Sequence, residues 1–169
     1  EDLTPHIHAL ETGLSSDPPM NRMVSALDKY LLVSNSDAHS PANLAREANV
    51  FNCGLNYDDV YEAINGDRDK FYGTLEFYPE EGKYHFDGHR KCGICGGRIT
   101  VGVLHRVEEL ADRDSPSLDK DKPFERIVPL TEVIASSVGM SSGSVKVKRK
   151  YEELLSELGS ELYIIREAP

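Results

Sequence analysis

The sequence predicts an α/β protein of barrel type, followed by a small metal-binding β unit and a mainly helical C-terminal part. The apolar run Leu31–Val33 leads into polar residues and then a proline-initiated helix, a unit typical of the open end of α/β barrels. Cys92 and Cys95 form a Cys-x-x-Cys pair between stretches of strand character. From about residue 130 onwards, the apolar residues recur at helical spacing.

Composition restricts the function classes. The chain has 169 residues, 39% of them hydrophobic, and a net charge of -10, which argues against a wholly basic nucleic-acid-binding surface. A local basic patch or a metal cluster remains compatible with that charge. No stretch is long and apolar enough to span a membrane, and the start as given has no signal peptide. Three cysteines indicate a reduced metal site rather than a disulfide framework, so we expect a cytoplasmic protein.

The elements follow from apolar periodicity and from turn residues. Asn56 and Gly66 bracket one helix, and Gly139 ends another. Strands are predicted over 5–11, 31–33, 71–78 and 162–165, with a further strand from 84. Helices are predicted over 20–29, 41–48, 56–64, 130–138 and 144–158, with a strand running into a short helix over 101–113. These elements form three units, 1–68, 69–113 and 114–169.

The best candidate ligands are Asp37 and His39, which follow the strand Leu31–Val33 with one residue between them. At a strand exit such a pair can turn a carboxylate oxygen and an imidazole nitrogen toward one point, a donor set that suits Zn, Mn or Fe. The alternative is an ordinary helix cap, with Ser40 as N-cap, beside a surface histidine. Glu11, at the end of the first strand, is a ligand or substrate contact, or else a carboxylate bonded to the following loop.

The pair Cys92-x-x-Cys95, with Gly96 directly after it, is typical of a zinc knuckle. A redox-active pair is the alternative, but no thioredoxin-like strand–helix setting follows it. A structural zinc needs four ligands. We expect His85 and His89 to complete the set, with His105 as another candidate; the alternative is an incomplete site that binds no metal.

The last two predicted helices are joined by a Gly/Ser turn that is followed by four basic residues. Backbone amides at the turn, together with the charges of the basic side chains, predict contacts with the phosphate backbone of DNA. A solvated helix face is the alternative. The four residues are Lys146, Lys148, Arg149 and Lys150.

Four stretches together resemble one family: 10–18, 34–41, 73–90 and 104–113. The chain looks like the PHP-domain nucleases of the endonuclease Q type, over nearly its whole length. The resemblance implies a metal-dependent phosphodiesterase that cuts DNA on the 5′ side of deaminated bases or abasic sites. It also implies a distorted β/α barrel holding up to three catalytic metals (Zn, Mn or Mg), with Asp37 and His39 matching the last ligand motif and Glu11 a weaker match.

The sequence also departs from the family pattern. The early H-x-H motif and the middle Glu and His ligands have no counterpart, so the chain corresponds to the C-terminal part of the barrel plus the zinc and helical parts. We expect it to be unable to assemble the full metal cluster by itself. The family also separates a Cys after Asp-Gly-His-Arg from a later Cys-x-x-Cys, whereas Cys92 serves as both here.

Two other function classes remain open. One is a non-catalytic zinc and helical DNA-binding fragment whose barrel part is only scaffold. The other is a PHP-type phosphoesterase acting on a small phosphorylated substrate, which would not need the appended zinc and basic-helix parts. For the nuclease, the expected partners are damaged DNA and a replication or repair protein.

Overall fold

The structure is a computed structural model that describes residues 2–81, 102–119 and 121–168. These residues form two compact units, divided between Arg126 and Ile127. Two small sheets and six α-helices make up the described part, so the predicted α/β class is confirmed. Within that part, no helix is long and apolar enough to cross a membrane. The predicted boundaries after residues 68 and 113 stay predictions.

The first sheet is a parallel pair of short strands. Strand β1, Ala9–Glu11, lies beside β2, Leu31–Val33, with Glu11 opposite Val33. Both strands were predicted, although the first begins later because Thr4–His6 is a 3-10 turn. Leu31 and Leu32 are buried, as the apolar run indicated.

The predicted helix over 20–29 is wrong. Helix α1 spans Pro18–Asn21, with Asp17 as its N-cap, and a 3-10 turn follows at Ser25–Leu27. Arg22 is 3% exposed, and its guanidinium donates hydrogen bonds to the carbonyls of Leu27 and Tyr30 and to Asp121. These side-chain bonds fix the segment beyond Asn21, where the local backbone hydrogen bonds are of the i→i+3 type rather than α-helical.

The second sheet has the order β3-β4-β5, with β3 at Ala48–Phe51, β4 at Phe71–Phe77 and β5 at Phe124–Ile127. Strand β4 was predicted. The predicted helix over 41–48 is wrong, since only a 3-10 turn, Pro41–Asn43, precedes β3. Ala45 has a φ of 59°, outside the helical region, and the segment then pairs antiparallel with β4. Pairing with a distant strand therefore overrides the local helical pattern.

Helix α2, Tyr57–Asn65, is capped by Asn56, as predicted. The side chain of Asn56 accepts a hydrogen bond from the amide of Asp59 at 3.0 Å. Its buried Ala63 packs in a small core with Leu31 and Phe71. The rings of Phe71 and Phe51 meet edge to face at 5.3 Å. This core ties α2 to both sheets. Helix α3, Val103–Leu110, confirms the short helix predicted within 101–113, but it begins where the preceding strand was predicted.

The second unit is helical. Helix α4, Leu130–Val138, and helix α5, Val145–Leu158, were predicted, and Gly139 ends α4 with a φ of 65°. The closing strand over 162–165 is wrong, because helix α6 spans Glu161–Arg166. Glu161 accepts from the amide of Leu130 and the hydroxyl of Tyr151, both at 2.8 Å. The helical period also places Ile164 and Ile165 against the core that contains Leu130, Ile134, Ala135 and Val147.

Candidate active site

Asp37 and His39 lie in the loop that leaves the carboxyl end of β2, as the sequence indicated. The imidazole Nδ1 of His39 lies 2.8 Å from the carbonyl oxygen of Asp37 and 3.8 Å from its carboxylate. A carbonyl only accepts, so Nδ1 carries the hydrogen, and in the neutral imidazole the lone pair is then on Nε2. The side chains of Asp37 and His39 are 70% and 83% exposed. The loop therefore presents a carboxylate and an imidazole Nε2 to the outside, a donor set that fits a transition metal.

Glu11 ends the neighbouring strand β1 and is exposed. The parallel pairing brings the ends of β1 and β2 side by side, because Glu11 lies opposite Val33. The structure thus places Glu11 at the same sheet edge from which the Asp37 loop departs. Across residues 2–81, 102–119 and 121–168, no three His, Cys, Asp or Glu side chains are grouped so as to hold an ion.

Sequence reasoning missed two buried carboxyl groups at this edge. Glu76 in β4 is fully buried, and its carboxyl accepts from Thr12 Oγ1 at 2.9 Å and from the hydroxyl of Thr74. Glu47, just before β3, is 2% exposed. Its Oε1 lies 3.4 Å from the amide of Phe77, and its Oε2 is buried without a hydrogen-bond partner. A glutamate inside an apolar strand run was the one available sequence signal, and it applies only to Glu76.

Burial changes the titration of both groups. Burial raises the pKa of Glu47 to about 7, and the nearby charges of Glu76 and Glu11 act in the same direction. Burial also raises the pKa of Glu76, against hydrogen bonds from threonine and serine hydroxyls that favour its charged form. The two carboxyls therefore hold protons at a pH where exposed glutamates have lost theirs.

A third buried acid is paired instead. Asp17 is 1% exposed, caps α1 through the amide of Met20 at 3.0 Å, and accepts from Arg126 Nε at 2.9 Å. The hydrogen bond that Arg126 donates to Asp17 raises the pKa of the guanidinium above its usual value. The guanidinium also lies over the rings of Tyr78 and Phe124, at 6.0 and 5.7 Å.

The predicted DNA-binding residues lie in the first half of α5 and are exposed. Ser144 caps this helix by accepting from the amide of Val147 at 3.3 Å. Arg149 and Lys150 lie 3.7 and 3.3 Å from the carboxylate of Glu153. The structure thus brings all four cations, Lys146, Lys148, Arg149 and Lys150, onto one helical segment, as the sequence predicted.

The predicted zinc ligands cannot be placed in the same way. Cys92, Cys95, His85 and His89 all lie outside the described residues. His105, the other candidate, lies on α3 with its Nε2 3.4 Å from Glu109. The zinc site stays a prediction.

The chain is similar to two uncharacterized proteins by sequence and to two solved structures. No family model matches the chain. The uncharacterized protein MJ0043 of Methanocaldococcus jannaschii is 31% identical over 92% of this chain and 23% of its own length. The uncharacterized protein YqxK of Bacillus subtilis is 30% identical over 96% of this chain and 43% of its own length.

Two solved structures are also similar. One is the lesion-specific endonuclease PfuEndoQ from Pyrococcus furiosus, with a TM-score of 0.81, and the other is endonuclease Q in complex with a 27-mer duplex carrying an abasic lesion at the active site, with a TM-score of 0.85. Each is 33% identical and matches 96% of this chain and 46% of the solved chain. The chain therefore spans less than half the length of these relatives. Over that length, the resemblance to nucleases of the endonuclease Q type is confirmed.

Proposed function

We propose that this protein is a metal-dependent DNA repair endonuclease that hydrolyses the phosphodiester on the 5′ side of a deaminated base or an abasic site. The observation that carries the proposal is the similarity, over 96% of the chain, to an endonuclease bound to duplex DNA with an abasic lesion at its active site. The Asp37–His39 loop supports it, because it presents a carboxylate and an imidazole at the carboxyl end of β2.

In this proposal Asp37 and His39 are two ligands of a larger catalytic set (Zn, Mn or Mg) in a PHP-type barrel. A bound divalent cation supplies an activated water and neutralises charge on the phosphoryl oxygens. His39 offers Nε2 as the ligand atom, because the carbonyl of Asp37 fixes the hydrogen on Nδ1. Glu11, at the adjoining strand end, contacts the metal set or the substrate. A lesion base has to leave the helical stack before it can be read.

Two other parts of the chain complete the proposal. The exposed cations of α5, Lys146, Lys148, Arg149 and Lys150, contact DNA phosphates. Cys92 and Cys95, with His85 and His89, hold a structural zinc. Exposed positive charge on one helix supports the first of these roles, and the Cys-x-x-Cys spacing supports the second.

The test begins with elemental analysis of a full-length version that carries the remaining barrel ligands, purified without added metal, comparing the wild type with Asp37→Asn and His39→Ala. We expect more than one metal per chain, with the excess over the zinc lost in both variants. We also expect the wild type to nick duplexes carrying one uracil, hypoxanthine or abasic site, and the variants not to. Asp58→Asn, an exposed acid on α2, is the matched control and should change neither result.

Two outcomes would contradict the proposal. About one zinc per chain, unaffected by Asp37→Asn, with binding but no cleavage, would identify a non-catalytic zinc and helical DNA-binding module. Hydrolysis of a small phosphomonoester without cleavage of any duplex would identify a PHP-type phosphoesterase for a small substrate.

A further inference from the structure

The loop that carries Asp37 and His39 has a backbone that needs external support. Asp37 has a φ of 46°, in the left-handed region that costs an L-residue about 1 kcal/mol or more. The loop begins at Ser34, which is fully buried, and ends with side chains that are mostly exposed. Two residues bind this loop: Arg46, which lies just before β3, and Asn49, which lies within it.

Asn49 binds the beginning of the loop. Its Oδ1 accepts from the amide of Ser34 at 2.9 Å, and its Nδ2 donates to the carbonyl of Ser34 at 2.8 Å. The same Nδ2 donates to Asn35 Oδ1 at 3.0 Å. One side-chain amide thus satisfies both backbone polar groups of a buried residue, in the way that a neighbouring strand would.

Arg46 binds the middle of the loop. Its Nε donates to the carbonyl of Ser36 at 2.7 Å, and its Nη2 reaches the carbonyl of Asp37 at 3.5 Å. That second carbonyl also accepts from His39 Nδ1 at 2.8 Å. Arg46 therefore acts on the carbonyl that sets the orientation and the tautomer of the His39 ring.

We propose that Arg46 and Asn49 are positioning residues for the metal ligands Asp37 and His39. They hold the left-handed turn at Asp37 and, through the Asp37 carbonyl, the orientation of the His39 ring. The inference rests on the proposed function, because it takes Asp37 and His39 as ligands. Partners that orient metal ligands typically change metal affinity by about 10- to 100-fold when they are removed.

The chain offers a matched control for each variant. Asn49→Asp keeps the size and the acceptor but loses both Nδ2 donations, and Asn65→Asp makes the same change at an amide that donates to the carbonyl of Tyr61 at 2.8 Å. Arg46→Met removes the two carbonyl contacts. Arg68→Met removes a comparable bond, since Arg68 Nη2 donates to the carbonyl of Lys29 at 2.9 Å.

Mn²⁺ alone is the probe, added to the full-length version that carries the remaining barrel ligands, because a hard cation disfavours the thiolates of a zinc knuckle. Free Mn²⁺ is measured by electron paramagnetic resonance. Hydrogen exchange of the amides of residues 34–39 is followed by mass spectrometry without added metal. We expect Asn49→Asp and Arg46→Met to weaken Mn²⁺ binding about 10- to 100-fold and to speed exchange in this loop. The controls Asn65→Asp and Arg68→Met should do neither, and urea unfolding reports any global loss of stability.

The results separate this inference from the proposed function. If Asp37→Asn leaves Mn²⁺ binding unchanged, the metal assignment fails and the positioning role fails with it. If Asp37→Asn abolishes binding while Asn49→Asp and Arg46→Met bind Mn²⁺ like the wild type, only the positioning role is overturned. Weaker binding with unchanged exchange of residues 34–39, or with an equal loss in the controls, would also overturn it.

Discussion

Replacing Glu47 with glutamine should change how the stability of the protein depends on pH. Glu47 is 2% exposed, and its pKa rises from 4.5 to about 7 in the folded protein. A carboxyl with a raised pKa binds its proton more tightly in the folded than in the unfolded state. The free energy of unfolding should therefore fall as the pH rises from about 5 to about 8.

The magnitude follows from the size of the pKa shift. A difference of roughly 2.5 pKa units at about 1.4 kcal/mol per unit corresponds to about 3 kcal/mol, fully expressed above the folded-state pKa. Glutamine cannot ionise, yet it keeps an acceptor for the amide of Phe77. Near pH 5, Glu47→Gln should therefore match the wild type within about 1 kcal/mol. At pH 8 it should be more stable by up to about 3 kcal/mol.

Urea unfolding at pH 5, 6, 7 and 8 measures this difference, provided that two probes give coincident transitions. Glu152→Gln, at an exposed position of α5, is the control and should follow the wild type at every pH. Glu76 keeps a raised pKa in the Glu47→Gln variant, so a smaller pH dependence should remain. A constant difference between wild type and Glu47→Gln across the four pH values would refute the reasoning.

Three further changes have expected outcomes. Gly73→Ala should lower the free energy of unfolding by about 1–3 kcal/mol, because a Cβ would lie 2.1 Å from the carbonyl oxygen of Pro123. At Gly143 a Cβ would have no neighbour within 4 Å, so Gly143→Ala should lower the free energy of unfolding much less. Equal losses of stability in urea unfolding would contradict the contact. For duplex DNA, the logarithm of the binding constant falls with the logarithm of the salt concentration, and Lys148→Gln should make this negative slope shallower by about 0.9. An unchanged slope would rule out a phosphate contact. Cys95→Ser should remove one zinc per chain by elemental analysis, and an unchanged zinc content would exclude the knuckle.

Elements with strong local signals were predictable. The caps Asn56 and Ser144 accept hydrogen bonds inside their own first turns, so the starts of α2 and α5 depend on nearby residues alone. The apolar run of β2 and the strand β4 were also correct. Short apolar runs were not decisive, as β3 and α6 show. Each of these takes its conformation from a partner distant in sequence, β4 for the first and the core of the helical unit for the second.

In the candidate site, too, the features that depend on local sequence were predictable and those that depend on distant contacts were not. The sequence by itself determined that a carboxylate and an imidazole, Asp37 and His39, leave the end of a strand, because residue type and spacing are local properties. Only the tertiary structure decided that Glu47 is buried and that Asn49 binds Ser34. Burial and hydrogen bonding between segments more than ten residues apart arise when the chain packs, and no local pattern encodes them.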